Sequence, residues 1–307
     1  MFDRLVHADW SIDPRKRWHA SAVCHNGVWR IAAPCPVGSV PAMLDAAFAD
    51  CDREKVLLGF DFPIGLPHAY GTQTGLTGFS EALASAGHGA WSDFFEVADE
   101  PGQVSLARPF YPRTSRKGVS RATLVKGLSV PSFEDLLRVC ERRTVDRQAA
   151  CSLFWTLGGN QVGKAAIAGW MQVVRPALAY GAALWPFDGT LADLSARPGV
   201  VIAETYPAEA YRMFDGGFRR NEGKRRQADR ASKAPAILKW AADHAVVLSD
   251  ETIAAVLDGF GNGASGEDAF DAVAGLVKMI EVASGRRLES TLDLHPALTW
   301  EGWILGR

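Results

Sequence analysis

The chain has 307 residues, 48% of them hydrophobic and 22% charged, with a formal net charge of −2. These are the proportions of an ordinary globular protein with room for a large core, which excludes a disordered or fibrous chain. The near-neutral balance excludes a globally basic nucleic-acid binder, though not a local basic patch. The five cysteines, Cys24, Cys35, Cys51, Cys140 and Cys151, are odd in number and form no C-x-x-C pair. Neither a disulfide framework nor a zinc site is indicated, and a reducing, cytoplasmic setting is expected. Met1 to Arg4 reads as the opening of a strand and not as a signal peptide. No apolar run reaches the length of a membrane span, so no membrane association is expected.

Leu5 to Asp9 has the character of a short strand ending in a carboxylate. Trp18 to Cys24 alternates as a second strand, and Gly27 turns the chain into a third at Val28 to Ile31, which makes an antiparallel meander. Val40 to Ala49 has helical spacing, with Val40, Met43, Leu44, Ala47 and Phe48 on one face. Val56 to Asp61 is the apolar run of a buried central strand; it also ends in an aspartate, and Pro63 stops it. Aspartate is common in turns, so either residue alone is explained by capping. Two carboxylates at strand ends, where open α/β sheets place their ligands, point to a site.

Residues 68 to 198 break this rhythm. They read as a mostly helical insertion within a single domain, 1–307, with helices over Ser129 to Arg143, capped by Ser132, and over Lys164 to Ala179. Gly158 to Lys164 fits G-x-x-x-x-G-K ahead of a helix. A phosphate loop needs Ser or Thr next, and Ala165 stands there, so a glycine turn is the better account.

Val200 to Thr205 returns to strand character with Glu204 at its end, and Tyr206-Pro207 leads into a short helix, Ala208 to Met213. Glu204 is either an acid favoured at a helix start or a member of an acidic cluster. From Arg219 to Lys233 there are seven basic residues (Arg219, Arg220, Lys224, Arg225, Arg226, Arg230, Lys233) against the acids Glu222 and Asp229, a local balance of +5. Such a run suits either a phosphate backbone or a solvated loop. Helices follow over Lys233 to His244 and Ser249 to Phe260. The tail from Trp300 to Leu305 is expected to pack back on the domain.

The last long helix is expected from Ser265 to about Ser284, with Ser265 as N-cap and Asp268 as a capping-box acid. Past Asp271 it is apolar on most sides, through Val273, Leu276, Val277, Met279 and Ile280, so it is buried. Asp271 lies within this run, where a charge needs a partner. A metal ion shared with Asp9 and Asp61 would be one. The set Asp9, Asp61, Glu204, Asp268 and Asp271 is all oxygen, which suits Mg²⁺ or Mn²⁺. Two such ions about 3.5–4 Å apart can activate water and stabilise a leaving oxygen in phosphodiester cleavage. Crowded carboxylates repel, so raised pKa values are expected without metal. No G-x-S-x-G and no telling His/Cys pair is present. His7 shares a strand face with Asp9 and reads as a packed residue.

The order of elements resembles the ribonuclease H-like fold. That resemblance implies an α/β protein with a mixed sheet, a three-stranded antiparallel meander plus parallel strands, flanked by helices. Asp268-Ala269-Phe270-Asp271-Ala272 resembles the D-x-x-D-A of the last helix in RuvC-type Holliday junction resolvases. These also carry an aspartate on the first strand, matched by Asp9, and a glutamate on the fourth, where this chain has Asp61; Glu204 has no clear counterpart in them. The chain is more closely similar to a family of predicted nucleases of that fold, domain of unknown function 429. The similarity rests on Phe60 to Pro67, Glu204 to Pro207, the Lys224-Arg225 segment and Glu267 to Ala272. It implies a metal-dependent nuclease acting on nucleic acid. Asp9, Asp61, Asp268 and Asp271 would hold metal, with Glu204 holding a second ion or orienting water. Lys224, Arg225, Arg226 and Arg230 would contact phosphates. Resolvases act as symmetric dimers, which raises a homodimer for which the residues carry no signature. Two alternatives stand beside this reading. One is a phosphotransferase or ATPase, weakened because Asp9-Trp10-Ser11 lacks a phosphate-loop glycine. The other is a non-enzymatic nucleic-acid or protein-binding module.

Overall fold

A computed structural model describes residues 1–115, 117–145, 147–157, 162–289 and 298–307. The chain forms two compact units, one of Met1–Asp61, Ala177–Thr291 and Ile304–Arg307, the other of Phe62–Pro176 and Leu292–Trp303.

The first unit is α/β. Its strands are β1 (Arg4–Asp9), β2 (Trp18–His25), β3 (Val28–Ile31), β4 (Cys35–Pro36), β5 (Lys55–Phe60), β6 (Ala183–Leu184), β7 (Gly199–Glu204) and β8 (Val247–Leu248). They form an eight-stranded mixed sheet in the order β6-β7-β5-β1-β2-β3-β8, with β4 paired to β2 off that path. The β1-β2-β3 meander is antiparallel, while β5 lies parallel to β1 and β7 parallel to β5. The inner strands β5 and β7 are buried along nearly their whole length, as continuous apolar runs require when both faces are covered. Residues 177–198, expected in the insertion, contribute edge strand β6 and a short helix, Leu191–Leu194, to this unit.

Helix Val40–Phe48 starts where Ser39 accepts a hydrogen bond from the Ala42 amide (3.4 Å), and Pro41 sits in its first turn. The long helix runs Gly263–Ala283 and packs on β1 and β2. Its N-cap lies three residues earlier than the capping pattern predicts. Asn262 is its N-cap residue, Ser265 lies inside the first turn, and Asp268 is an interior helix residue rather than a capping acid. Two glycines let helix and sheet approach. A Cβ on Gly275 would lie 2.2 Å from the His7 ring, and one on Gly59 would lie 2.4 Å from the Met279 sulfur. Gly275→Ala is therefore expected to destabilise the protein by about 1–3 kcal/mol, the usual cost of overpacking. Urea denaturation measures it, and an unchanged midpoint would show that the helix has slack over His7.

The second unit consists of short helices and 3-10 turns around an aromatic core of Tyr70, Phe79, Phe94, Phe110, Phe154 and Trp170. The helix expected over Ser129 to Arg143 is replaced by two 3-10 turns, Glu134–Leu136 and Val139–Glu141. Tertiary contacts override the local pattern here. Fully buried Arg138 pairs with Glu141 (2.8 Å) and donates to the Glu301 carbonyl (3.0 Å), while the Glu301 carboxylate takes the Val139 amide (2.5 Å). Ser132 bonds the Asp135 side chain (2.7 Å). Gly65, at φ 143°, lies where a Cβ would meet the Glu301 carbonyl at 2.0 Å, so the Pro-Ile-Gly-Leu-Pro piece has a packing role here. The helix expected from Lys164 to Ala179 runs Val162 to Ala179, with a π-helical stretch at Trp170–Val174. Positions 158–161 of the G-x-x-x-x-G-K segment lie outside the described residues.

The tail returns as expected within each unit. Leu305 donates its amide to the Glu204 carbonyl (2.8 Å), and Trp300 accepts from the Leu66 amide (2.7 Å). Among the described residues no helix is long and apolar enough to cross a membrane.

Candidate functional site

The register of the central strands decides which carboxylates meet. His7 pairs with Gly59 across β1 and β5, and both face the long helix. Side chains alternate along a strand, so Asp9 and Asp61, each two residues further on, emerge on that same face. Their carboxyl groups share a hydrogen bond, and the Trp10 amide donates to Asp61 Oδ1 at 2.6 Å. A bond between two carboxyl groups requires a proton on one of them. Burial, followed by the charges of Asp61 and Asp271, pushes Asp9 well above the ordinary carboxylate range. Burial also pushes Asp61 up to about 6, against the Trp10 amide that pulls it down.

The long helix brings Asp271 to this pair. It is 3% exposed, and its carboxyl is raised by burial while Lys224 and Tyr211 hold it down. Its two oxygens have separate donors: the Tyr211 hydroxyl donates to Oδ1 and the Lys224 ammonium to Oδ2. Lys224 also reaches Glu267, 3.1 Å away, one helical turn before Asp271 on the same face. Burial alone would lower the Lys224 pKa. Asp271, Glu267 and Asp9 together outweigh burial and raise it above the ordinary lysine range. Asp271 is therefore within electrostatic reach of Asp9 and Asp61, but its direct partners are a lysine and a tyrosine.

Asp268 stands at the edge of the cluster. Burial, then Glu267 and Asp271, raise its carboxyl to about 6. Its Oδ2 is buried without a hydrogen-bond partner. Such an oxygen has acceptor capacity left over for a further donor or cation.

Glu204 is placed elsewhere. It pairs with Phe60 across β7 and β5, one residue out of phase with Gly59 and Ala203. Alternation puts it on the opposite sheet face, where the Trp10 ring meets Phe60 edge-on at 5.6 Å. The next residue, Thr205, returns to the site face. Its hydroxyl lies 2.8 Å from His7 Nε2, and His7 Nδ1 lies 3.0 Å from the Ala272 carbonyl. A carbonyl only accepts, so Nδ1 carries the ring proton and Nε2 accepts from Thr205. Burial holds His7 neutral, with its pKa lowered to about 3.

The basic run divides by role. Arg230 is fully buried and donates to the carbonyls of Gly259 (2.8 Å), Gly261 (2.6 Å) and Lys224. It shapes the loop before the long helix, whose Gly266 leaves room for it, and no phosphate can reach it. Lys224 is engaged with Asp271 and Glu267, and Arg226 pairs with Asp229 at 2.6 Å. Lys233 is buried beside Glu222 (3.2 Å) and the Phe218 ring. Arg219, Arg220 and Arg225 stay exposed.

Tyr211 and Glu267 were not among the expected site residues. Glu267 carried a legible signal, since it stands four residues before Asp271 on a helix. Tyr211 had none, because only tertiary packing against Phe218 and Phe270 brings it to Asp271.

Among the described residues no group of three or more His, Cys, Asp or Glu side chains is arranged to hold a metal ion as it stands. The donor set nonetheless fits a hard cation. Asp9, Asp61, Asp268 and Asp271 offer oxygen only, one of these oxygens is orphaned, and a lysine ammonium already acts as the cluster's cation. Comparison with protein-family models, curated proteins and solved structures finds no match for this chain.

Proposed function

We propose that the first unit is a ribonuclease H-like domain and that the protein is a Mg²⁺- or Mn²⁺-dependent nuclease with its site at Asp9, Asp61, Asp268 and Asp271. The sheet supports the fold reading, because an antiparallel meander followed by a helix and parallel strands is the element order on which the resemblance rests. One observation carries the functional reading: strand ends β1 and β5 and an apolar helix bring Asp9, Asp61 and Asp271 within electrostatic reach of one another, where burial raises all three carboxyls and the Asp271 charge adds to the rise at Asp9 and Asp61. Burying like charges together is unfavourable and marks a site built for something else.

Two bound divalent cations would supply a hydroxide nucleophile and stabilise the leaving oxygen of a phosphodiester. The chain's own residues do the rest. Asp9 and Asp61 would have to be fully deprotonated to act as ligands. The Tyr211 hydroxyl fixes the rotamer of Asp271 through Oδ1. His7 and Thr205, neutral and fully hydrogen-bonded, brace β1 against the helix beneath Asp9. The exposed Arg219, Arg220 and Arg225 give the approach a positive potential suited to a nucleic-acid backbone. Arg225 keeps the phosphate-contact role proposed from the sequence, and Arg226 shares it through its exposed guanidinium.

Isothermal titration with Mn²⁺ tests the reading. Wild type is expected to bind, and Asp9→Asn to bind at least about tenfold more weakly, as when a charged ligand is lost. Equal binding by both would remove Asp9 from the site. Chelator-resistant binding of nucleic acid without cleavage would favour the binding-module alternative.

A further inference from the structure

Lys224 joins the basic loop to the acidic cluster. Its ammonium is bonded to Asp271 Oδ2 and lies 3.1 Å from Glu267 Oε1, and Asp9 also raises its pKa. Two acids one helical turn apart thus converge on one positive charge.

We propose that the Lys224 ammonium holds the place of a divalent cation in the metal-free protein, that a metal enters by displacing it, and that Glu267 becomes a ligand beside Asp271. This rests on the metal-dependent reading above and adds a ligand and a displaceable internal cation to it.

Three features support exchange at this position. The Lys224 side chain is 37% exposed while Asp271 is 5% exposed, so the lysine is the solvent-facing member of the pair and has somewhere to go. Its backbone is pinned, because the buried Arg230 guanidinium donates to the Lys224 carbonyl. Exchange therefore needs only rotation of a flexible four-carbon side chain, not loop movement. The two oxygens that hold the ammonium, from Asp271 and Glu267, are the carboxylate donors a hard cation takes, and carboxylates facing one another do not tolerate an empty centre. Lys224 is thus a positioning residue. It holds the Asp271 and Glu267 side chains in place until metal arrives, and once displaced it points its charge toward the solvent side, where a phosphate would approach.

The test is Mn²⁺ affinity by calorimetry in wild type, Lys224→Met, Lys224→Arg and Glu267→Gln, with Arg53→Met, an exposed cation outside the site, as a control for general charge. Amine labelling of Lys224 in wild type, read by mass spectrometry with and without Mn²⁺, is the second readout. Lys224→Met should bind Mn²⁺ about tenfold more tightly, the scale of one charge-assisted hydrogen bond no longer competed for. Lys224→Arg should bind no more tightly than wild type, Glu267→Gln should bind more weakly, and Arg53→Met should be unchanged. Mn²⁺ should increase Lys224 labelling. Wild type and Lys224→Met binding equally, or labelling that does not change while wild type binds, would overturn the exchange and leave the metal reading standing. Absence of binding in both would overturn the two together. Should Lys224→Met fail to fold without metal, the labelling of wild type still decides.

Discussion

Asp271→Asn is expected to abolish metal-dependent cleavage, with a loss of at least about 10²–10³-fold in kcat. Metal-ion catalysis supplies several kcal/mol of transition-state stabilisation, and each 1.36 kcal/mol is tenfold in rate. Among the described residues, Asp271 is the helix carboxylate whose charge acts on both strand-end acids. The substitution keeps the side-chain volume but removes the charge that Lys224 and Tyr211 address. It leaves Lys224 with Glu267 as its direct partner. Because the Lys224 side chain can reach solvent, the accompanying loss of stability should be modest, about 1 kcal/mol. The measurement is a cleavage assay on duplex, branched and single-stranded nucleic acids with Mn²⁺, alongside thermal unfolding. Full activity in a folded Asp271→Asn protein would remove the centre of the proposed site. Loss of activity through unfolding would appear in the thermal profile and would not count for it.

Arg230→Ala carries the largest expected effect on stability, about 3–5 kcal/mol. Removing this guanidinium leaves the carbonyls of Gly259, Gly261 and Lys224 without their donor in a buried setting. Each unsatisfied buried polar group costs about 1–3 kcal/mol. A cavity opens beside Gly266, whose missing Cβ makes space for the arginine. Arg230→Lys should recover little, since one ammonium cannot span the carbonyls that the planar fork reaches. Chemical denaturation measures both variants. A destabilisation below about 1 kcal/mol, the scale of a surface change, would mean that Arg230 is a surface cation after all, and would restore it as a candidate phosphate contact.

The contrast between these two residues shows what the sequence could reveal. The strands and the long helix were legible because their hydrophobic patterns are strong. Leu5 to Asp9, Val56 to Asp61 and Val200 to Glu204 all form strands close to where periodicity predicts, and Asp271 is a buried charge in an apolar helix, as its position in the sequence implies. Glu204 misled because strand register cannot be read from one strand. A shift of one residue relative to Asp61 sends the side chain to the other face of the sheet. Arg230 and Lys224 looked alike in a basic run, yet one is a backbone clamp and the other an ion-pair partner, a difference that only tertiary burial creates. Asp268 lost its capping role because the helix starts at Gly263, ahead of the serine that fits the capping pattern. The segment from Ser129 to Arg143 lost its helix to the buried Arg138–Glu141 pair, whose energetics lie outside any local propensity.

The central claim is that the acids on β1, β5 and the long helix form a divalent-cation site. Anomalous diffraction from crystals soaked in Mn²⁺ tests it most directly. The account predicts a peak in contact with Asp271 and at least one of Asp9 and Asp61, with the Lys224 ammonium no longer bonded to Asp271. A structure from such crystals with no peak at these carboxylates, and with Lys224 and Tyr211 still bonded to Asp271, would contradict it.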